Sequence, residues 1–399
     1  MELPRDLMIL DLCPYWVTPV TGGGPLRVFN LNKNVACSIP VRQFSLRPTY
    51  IMRSAGRDIL KSQEIIHGKN YVETCVSNPL VYPAIYLLYK LSLPSDIVLP
   101  YYLNIFRNKN LEKWLTKTEI VQFEHPWLYN FIKNRKRDHV LVASSHNCEA
   151  RFLLTQSRRI REFLMDVERE SIESADAVFA VSENDVEEFH NFLKVNKKDS
   201  IFIIPNGVDC KKYRPPSPSE RVDAKKQLGL SGKQVVLFTG SIHKPNSEAL
   251  EIILSNIAPN TDDHDIVFLI VGGVGEGRKS KDNVLFTGYT RDVDVFLRAS
   301  DLAINPLISG SGTSLKILEF MAAGLPVIST PVGARGFNIK HREQAVITST
   351  TDFSNWIQEV LTDRDLYDSL SLNGRAFVEN NFDWQAISKK AVKIYNQFL

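Results

Sequence analysis

The residues best suited to chemistry lie in one short run, SGSGTSLKILEF, from Ser309 to Phe320. Glycines let backbone N–H groups come close to a ligand, and the first turn of a following helix leaves such donors unpaired. The partial positive charge at a helix start favours an anion, phosphate above all. Lys316 adds a full charge inside that turn, and Glu319, one turn on, offers a carboxylate to the neighbouring hydroxyls of a ribose. With Ser311, Gly312, Thr313, Ser314 and Leu315 the run has the makings of a nucleoside-diphosphate seat. A Ser/Gly/Thr loop before a helix also serves as a plain N-cap and turn, and the run by itself leaves both readings open.

Three other stretches carry candidate groups. Gly22, Gly23 and Gly24 follow the apolar run LMILDL (7–12), with Arg27 one turn further, either reaching a phosphate or lying on the helix surface. His146 follows HVLVAS (139–144) and shares its loop with Asn147, a candidate cap for the next helix, and Glu149, a candidate partner for Arg151 or Arg161. Ser241, His243 and Lys244 turn out of QVVLFTG (234–240) into a helical segment, a second potential phosphate nest. The acids Asp6 and Asp11, and the run Glu183, Asp185, Glu187 and Glu188, could be offered as acid/base pairs or a metal site. The second group fits the solvated face of a helix opened by Ser182. No HxE…CxxC pattern argues for a metal site, and the five cysteines lack CxxC spacing, so no metal is expected.

These groups need strands and helices to hold them. Apolar runs of strand length recur at 7–12, 119–123, 139–144, 177–182 and 201–205, then at 234–240, 265–273, 284–288, 301–306, 326–330 and 345–348. Continuous runs suit parallel strands buried on both faces, and the helical segments between them imply right-handed βαβ units. The fold class is therefore α/β, with two doubly wound domains and a cleft between them. Ligands of such sheets bind outside the carboxyl ends of the strands. The expected boundaries are 1–206 and 207–380, the division falling at the turn-rich PNGVDCKKYRPPSPSE, with a final helical segment at 381–399.

Charge is uneven along the chain. Residues 1–161 carry a net +10 and the remainder −7, within an overall +3. The basic half suits an acidic partner, such as phosphate or anionic lipid, and no nucleic-acid motif accompanies it. No window reaches the ~20 apolar residues of a membrane span. The acids and proline of MELPRDLMILDL do not fit a secretory signal, so the expected compartment is cytoplasmic.

GSGTSLKILEFMAAGLPVISTPVG (310–333) resembles the nucleotide-binding segment of the retaining glycosyltransferases of family four. TPVTGGGPLRVFNL (18–31), SSHNCEARFL (144–153), ERESIESADAVFAVSENDVEEF (168–189), IPNGVDCKKYRP (204–215) and FTGSIHKPNSEAL (238–250) are similar to further family segments in the expected order. The resemblance implies the GT-B fold, two facing Rossmann-like domains. The first would be an acceptor-side domain, the second would bind the nucleotide sugar, and the final helix would cross back. It implies sugar transfer from a nucleotide-sugar donor to a glycan or lipid-linked acceptor, with no permanent cofactor and no metal. His146, Lys316 and Glu319 would then be catalytic, with the glycine loop, Ser241–Lys244 and Ser311–Leu315 at the donor. Family members also often touch a membrane. Peripheral contact would involve the basic N-terminal half, with Tyr82, Tyr86, Leu87, Leu88, Tyr89 and Lys90 and the basic run from Lys133 to Arg137.

The sequence departs from the family at three positions. Ser241 and Asn246 stand where many members have an arginine and a lysine, with Lys244 or Lys316 as candidate replacements for the lost charge. Ser311 stands at the first of two glutamates, of which Glu319 is the second. A non-catalytic GT-B partner subunit remains the alternative reading.

Overall fold

The computed structural model describes residues 8–20, 22–46, 61–77, 87, 108–133, 139–152, 158–261, 265–290, 292–310 and 312–398. The chain forms two compact units, Met1–Pro205 with Ile387–Leu399, and Asn206–Ala386.

The sheet of the first unit contains β1 (Ile9–Cys13), β2 (Val41–Ser45), β3 (Gln63–Gly68), β4 (Tyr71–Cys75), β5 (Ile120–Glu124), β6 (Val140–Ser144), β7 (Ala177–Ala180) and β8 (Ile201–Ile203). Their order is β3-β4-β2-β1-β5-β6-β7-β8, and only the β3–β4 pair is antiparallel. Strands β2, β3 and β4 fall outside the apolar runs of the sequence. VRQFS and YVETC break their apolar residues with polar ones, because one face of this sheet is buried yet polar.

Register explains how. Asp11 pairs with Gln43 on one side and Gln122 on the other, and Gln43 pairs with Glu73. Successive side chains of a strand point to opposite faces, so these four form one row, with Ser45 and Glu124 beside it. All six are buried. The opposite face carries Leu10, Leu12, Phe44, Val121, Phe123 and Leu141, the apolar core of the unit. The helix Gly23–Val35 lies against the polar row, since Asn32 Nδ2 donates to Asp11 Oδ2 at 2.6 Å and to Gln43 Oε1 at 3.1 Å.

The second unit is simpler. Its strands β9 (Gln234–Thr239), β10 (Ile266–Val271), β11 (Val284–Phe286), β12 (Leu302–Asn305), β13 (Val327–Ser329) and β14 (Val346–Ile347) are all parallel, ordered β11-β10-β9-β12-β13-β14. Both faces are apolar. Val235, Leu237, Leu269, Ala303 and Val327 serve one core, and Val236, Phe238, Phe268, Ile304 and Ile328 the other.

The order of the parallel strands turns back at β1/β5 in the first unit and at β9/β12 in the second. Crevices open at such switch points, outside the carboxyl ends of the strands. The candidate residues should therefore be sought after β1 and β5, and after β9 and β12.

Candidate functional site

In the second unit the run from Ser309 leaves β12 and enters the helix Leu315–Ala322. The helix packs Ile317, Leu318, Phe320 and Met321 into the core, which orients its first turn to the carboxyl ends of β9 and β12. It ends in a Schellman motif, with Leu325 N–H donating to Phe320 O and Gly324 N–H to Met321 O, both at 3.0 Å. Gly324 has φ 72°, and a Cβ there would lie 2.8 Å from the Pro215 ring, so this stop admits little but glycine.

The loop ahead of the helix is held from behind. Arg335 donates to Gly310 O at 2.9 Å and to Gly312 O at 2.8 and 3.0 Å, which occupies its carbonyls. Asn305 Nδ2 donates to Ser314 Oγ at 3.2 Å, and Asn206 Nδ2 to Thr313 Oγ1 at 3.3 Å. The N-cap residue, Ser314, makes no side-chain capping hydrogen bond among the described residues. Ser311 lies outside the described residues.

Lys316 does not project freely. Its ammonium donates to Thr239 O at 2.5 Å and Asn246 Oδ1 at 2.8 Å, and stands 4.5 Å from the centre of the Phe238 ring. Burial lowers its pKa to about 7, against the opposing pull of Glu319. The Lys316 cation thus shares its position with Asn246, one of the three departures from the family pattern. Asn246 in turn donates to Ser241 O at 3.1 Å and Ser241 Oγ at 3.3 Å, so Lys316 and Asn246 join the first turn of the helix to the β9 turn. His243 and Lys244 begin the helix Lys244–Ile252 and are exposed, Lys244 pairing at 3.6 Å with Glu248. Burial raises the pKa of Glu319, while Lys212 and Lys316 draw it back down.

The first unit gathers its groups after β1, β5 and β6. Gly22 caps the helix Gly23–Val35, and a Cβ on Gly24 would stand 2.5 Å from the Tyr15 hydroxyl and 3.5 Å from His146 Nδ1. His146 Nε2 lies 2.6 Å from Glu124 Oε2 at the end of β5. His125 stacks on His146 with ring centres 4.6 Å apart, Tyr15 meets His125 edge-on, and His125 Nδ1 lies 2.9 Å from Glu149 Oε1. His125 has φ 80°, a conformation that costs a non-glycine residue about 1–3 kcal/mol and concentrates at functional sites.

Charges in this cluster are mutually set. Burial acts to raise the carboxyl of Glu124, but the His146 hydrogen bond and the Arg27 guanidinium outweigh it and hold the pKa low. Burial lowers the pKa of His146, more than Glu124 raises it. Arg27 is buried, not on the helix surface, and burial depresses its pKa against the pull of Glu124 and Asp185.

Two expectations are corrected here. Glu149 pairs with His125 rather than with Arg151, which instead approaches Glu188 at 3.5 Å. Asn147 does not cap the short helix Glu149–Phe152. Glu168 does, accepting from the N–H groups of Glu149 at 2.8 Å and Ala150 at 2.7 Å, and burial pushes its carboxyl up to about 8. Sequence reasoning missed Glu124, His125, Tyr15 and Glu168. The pair Glu124-His125 directly after an apolar run was the available signal. Asp6, residues 81–86 and 88–90, and 134–137 lie outside the described residues.

Solved structures share this architecture along nearly the whole chain. The sucrose-phosphate synthase of Thermosynechococcus elongatus is 20% identical with TM-score 0.71, over 98% of each chain. Anabaena Alr3699/HepE, solved in complex with UDP-glucose, is 16% identical with TM-score 0.67, over 98% of this chain and 100% of its own. The fold is GT-B, two Rossmann-like units. The chain belongs to the group 1 glycosyltransferases of the family 4 type: residues 233–363 match the model "Glycosyl transferases group 1" and residues 81–212 the model "Glycosyltransferase Family 4". Among curated relatives, spore coat protein SA of Bacillus subtilis is 25% identical over 48% of this chain, and the N-acetyl-alpha-D-glucosaminyl L-malate synthase of Bacillus anthracis 27% over 58%. These matches span 57% and 62% of the relatives' own lengths. Among the described residues no helix is long and apolar enough to cross a membrane.

Proposed function

We propose that the protein transfers a glycosyl group from a nucleoside-diphosphate sugar to a hydroxyl of a glycan or lipid-linked acceptor, with retention of configuration and without a bound metal. The observation that carries this reading is the second unit's switch point. A glycine loop with its carbonyls tied back, an uncapped helix start, the Lys316 ammonium and the Glu319 carboxylate meet there.

The diphosphate binds to the N–H groups of the loop and helix start, with Lys316 beside it, and Glu319 accepts from the ribose hydroxyls. As the bond from the sugar's anomeric carbon to the phosphate oxygen breaks, charge grows on the diphosphate, and those donors stabilise it. The acceptor oxygen forms the new bond on the same face, and its proton passes to the departing phosphate oxygen. His146 serves the sugar or the acceptor hydroxyl. HepE, a structural neighbour, was solved with UDP-glucose, which supports a donor of that class. A relative 28% identical over half of this chain is named as a galactosyltransferase acting on a diphosphoundecaprenol-linked sugar, which supports a lipid-linked acceptor. Such an acceptor would bring the basic N-terminal half to an anionic membrane surface, a contact that flotation with anionic against neutral vesicles would detect.

The test is product analysis with a panel of UDP-, GDP- and ADP-sugars and lipid-linked or free glycan acceptors. Release of nucleoside diphosphate with an α-linked product from an α-linked donor supports the proposal. Selective nucleotide binding without turnover across the panel would favour the non-catalytic partner.

A further inference from the structure

A directional line of buried side chains ends at His146. Tyr395, on the helix Trp384–Tyr395, donates from its hydroxyl to Gln122 Oε1 at 2.5 Å. Gln122 Nε2 donates to Glu124 Oε1 at 2.8 Å and, more loosely, to Asp11 Oδ1 at 3.5 Å. Glu124 Oε2 then meets His146 Nε2 at 2.6 Å. Tyr395, Gln122 and Glu124 are each no more than 1% exposed, so water does not scramble the order.

Chemistry dictates the direction. Glu124, whose pKa is held low, is ionised and only accepts, so Gln122 must turn its NH2 towards Glu124 and its oxygen towards the Tyr395 hydroxyl. An ionised Glu124 then requires the His146 proton on Nε2, which leaves the lone pair of the neutral ring on Nδ1. That nitrogen lies 3.5 Å from where a Cβ of Gly24 would stand. The Tyr15 hydroxyl is 2.5 Å from the same point, buried and without a hydrogen-bond partner among the described residues. The close approach of Tyr15 thus leaves no room for a side chain at Gly24, and the His146 Nδ1 lone pair is the acceptor that this line of buried side chains leaves for a ligand.

We propose that Glu124, Gln122 and Tyr395 are positioning residues that fix His146 in the Nε2–H tautomer, so that Nδ1 accepts a hydrogen bond from a substrate hydroxyl. The nature of that hydroxyl, on a sugar or its acceptor, rests on the glycosyl-transfer reading; the tautomer does not. The final helix is thereby part of the site, since its Tyr395 sets the orientation of Gln122.

The Glu124→Gln variant tests this sharply. Gln122 N–H still seeks an oxygen, so the new amide turns its own NH2 to His146 and forces the proton from Nε2 to Nδ1. Two-bond 1H–15N spectra of protein labelled at histidine read the tautomer, and the His146 signal is the one lost in His146→Gln. The expected result is an Nε2–H ring in the wild type and an Nδ1–H ring in Glu124→Gln. Turnover in Glu124→Gln is expected to fall about 100-fold in kcat, the scale of a misplaced reacting group, with donor KM nearly unchanged. Tyr395→Phe keeps the ring packing and should give a smaller kcat loss, about tenfold, again without a KM change. An Nδ1–H ring in the wild type overturns the proposal, and so does an unchanged tautomer in a folded Glu124→Gln protein. If the tautomers behave as expected but no nucleotide sugar is turned over, the positioning line stands and the transfer reading falls.

Discussion

The two units share a doubly wound plan yet build their sites by opposite means. In the second unit both faces of the sheet are apolar, and the candidate groups sit on loops and a helix start that are contiguous in sequence. In the first unit the sheet itself is polar on one buried face, and the groups come from strands as distant as Asp11, Glu73 and Glu124. One site is a loop and helix start whose carbonyls are tied back by Arg335. The other is a pre-paired network in which each acid or base already has a hydrogen-bond partner. The difference suits the two proposed tasks: a diphosphate needs many adaptable N–H donors, whereas a hydroxyl needs one hydrogen-bond acceptor held at a fixed angle.

The largest effect that would break this comparison is at His146. His146→Ala should lower kcat by about 100-fold, the scale of a hydroxyl no longer held in its reacting position, and leave nucleotide affinity intact. Weakened nucleotide binding in that variant would mean that the two sites do not divide the work as described.

A pH series sharpens the other side. The pKa of Lys316 is lowered to about 7, so the free protein loses this charge as pH rises through that value. A bound diphosphate favours the charged form, hence affinity for a nucleotide sugar should be greatest below pH 7 and fall above it. The slope can reach about tenfold per pH unit at most. Lys316→Met should flatten the profile, and a wild-type affinity that holds constant from pH 6 to 9 would remove Lys316 from the donor contacts. Smaller still is the effect of the loop brace. Arg335→Ala frees the carbonyls of Gly310 and Gly312 and should weaken nucleotide binding about fivefold, near 1 kcal/mol, with kcat little changed.

Legibility in the sequence followed the same divide. The parallel strands of the second unit are continuous apolar runs, and the loop, helix and Gly324 stop are adjacent letters, so local rules recover them. Strands β2 and β4 were not recovered, because Gln43, Ser45 and Glu73 read as solvent-facing positions when they in fact form a buried polar row. Nothing local indicates that Tyr395 and Gln122, hundreds of residues apart in sequence, hydrogen-bond each other. Glu149 illustrates the limit well: its nearest basic neighbours in sequence were the obvious partners, yet the pairing with His125 depends on where β5 and β6 end.

The most direct test is calorimetric titration of UDP, GDP and ADP into the wild type, Glu319→Ala and Glu124→Gln. One nucleotide should bind the wild type selectively. Affinity should fall about 10- to 100-fold in Glu319→Ala, the worth of hydrogen bonds to a charged group, and persist in Glu124→Gln. Equal affinity in Glu319→Ala and the wild type, or loss of binding confined to Glu124→Gln, would contradict the assignment of the donor to the second unit.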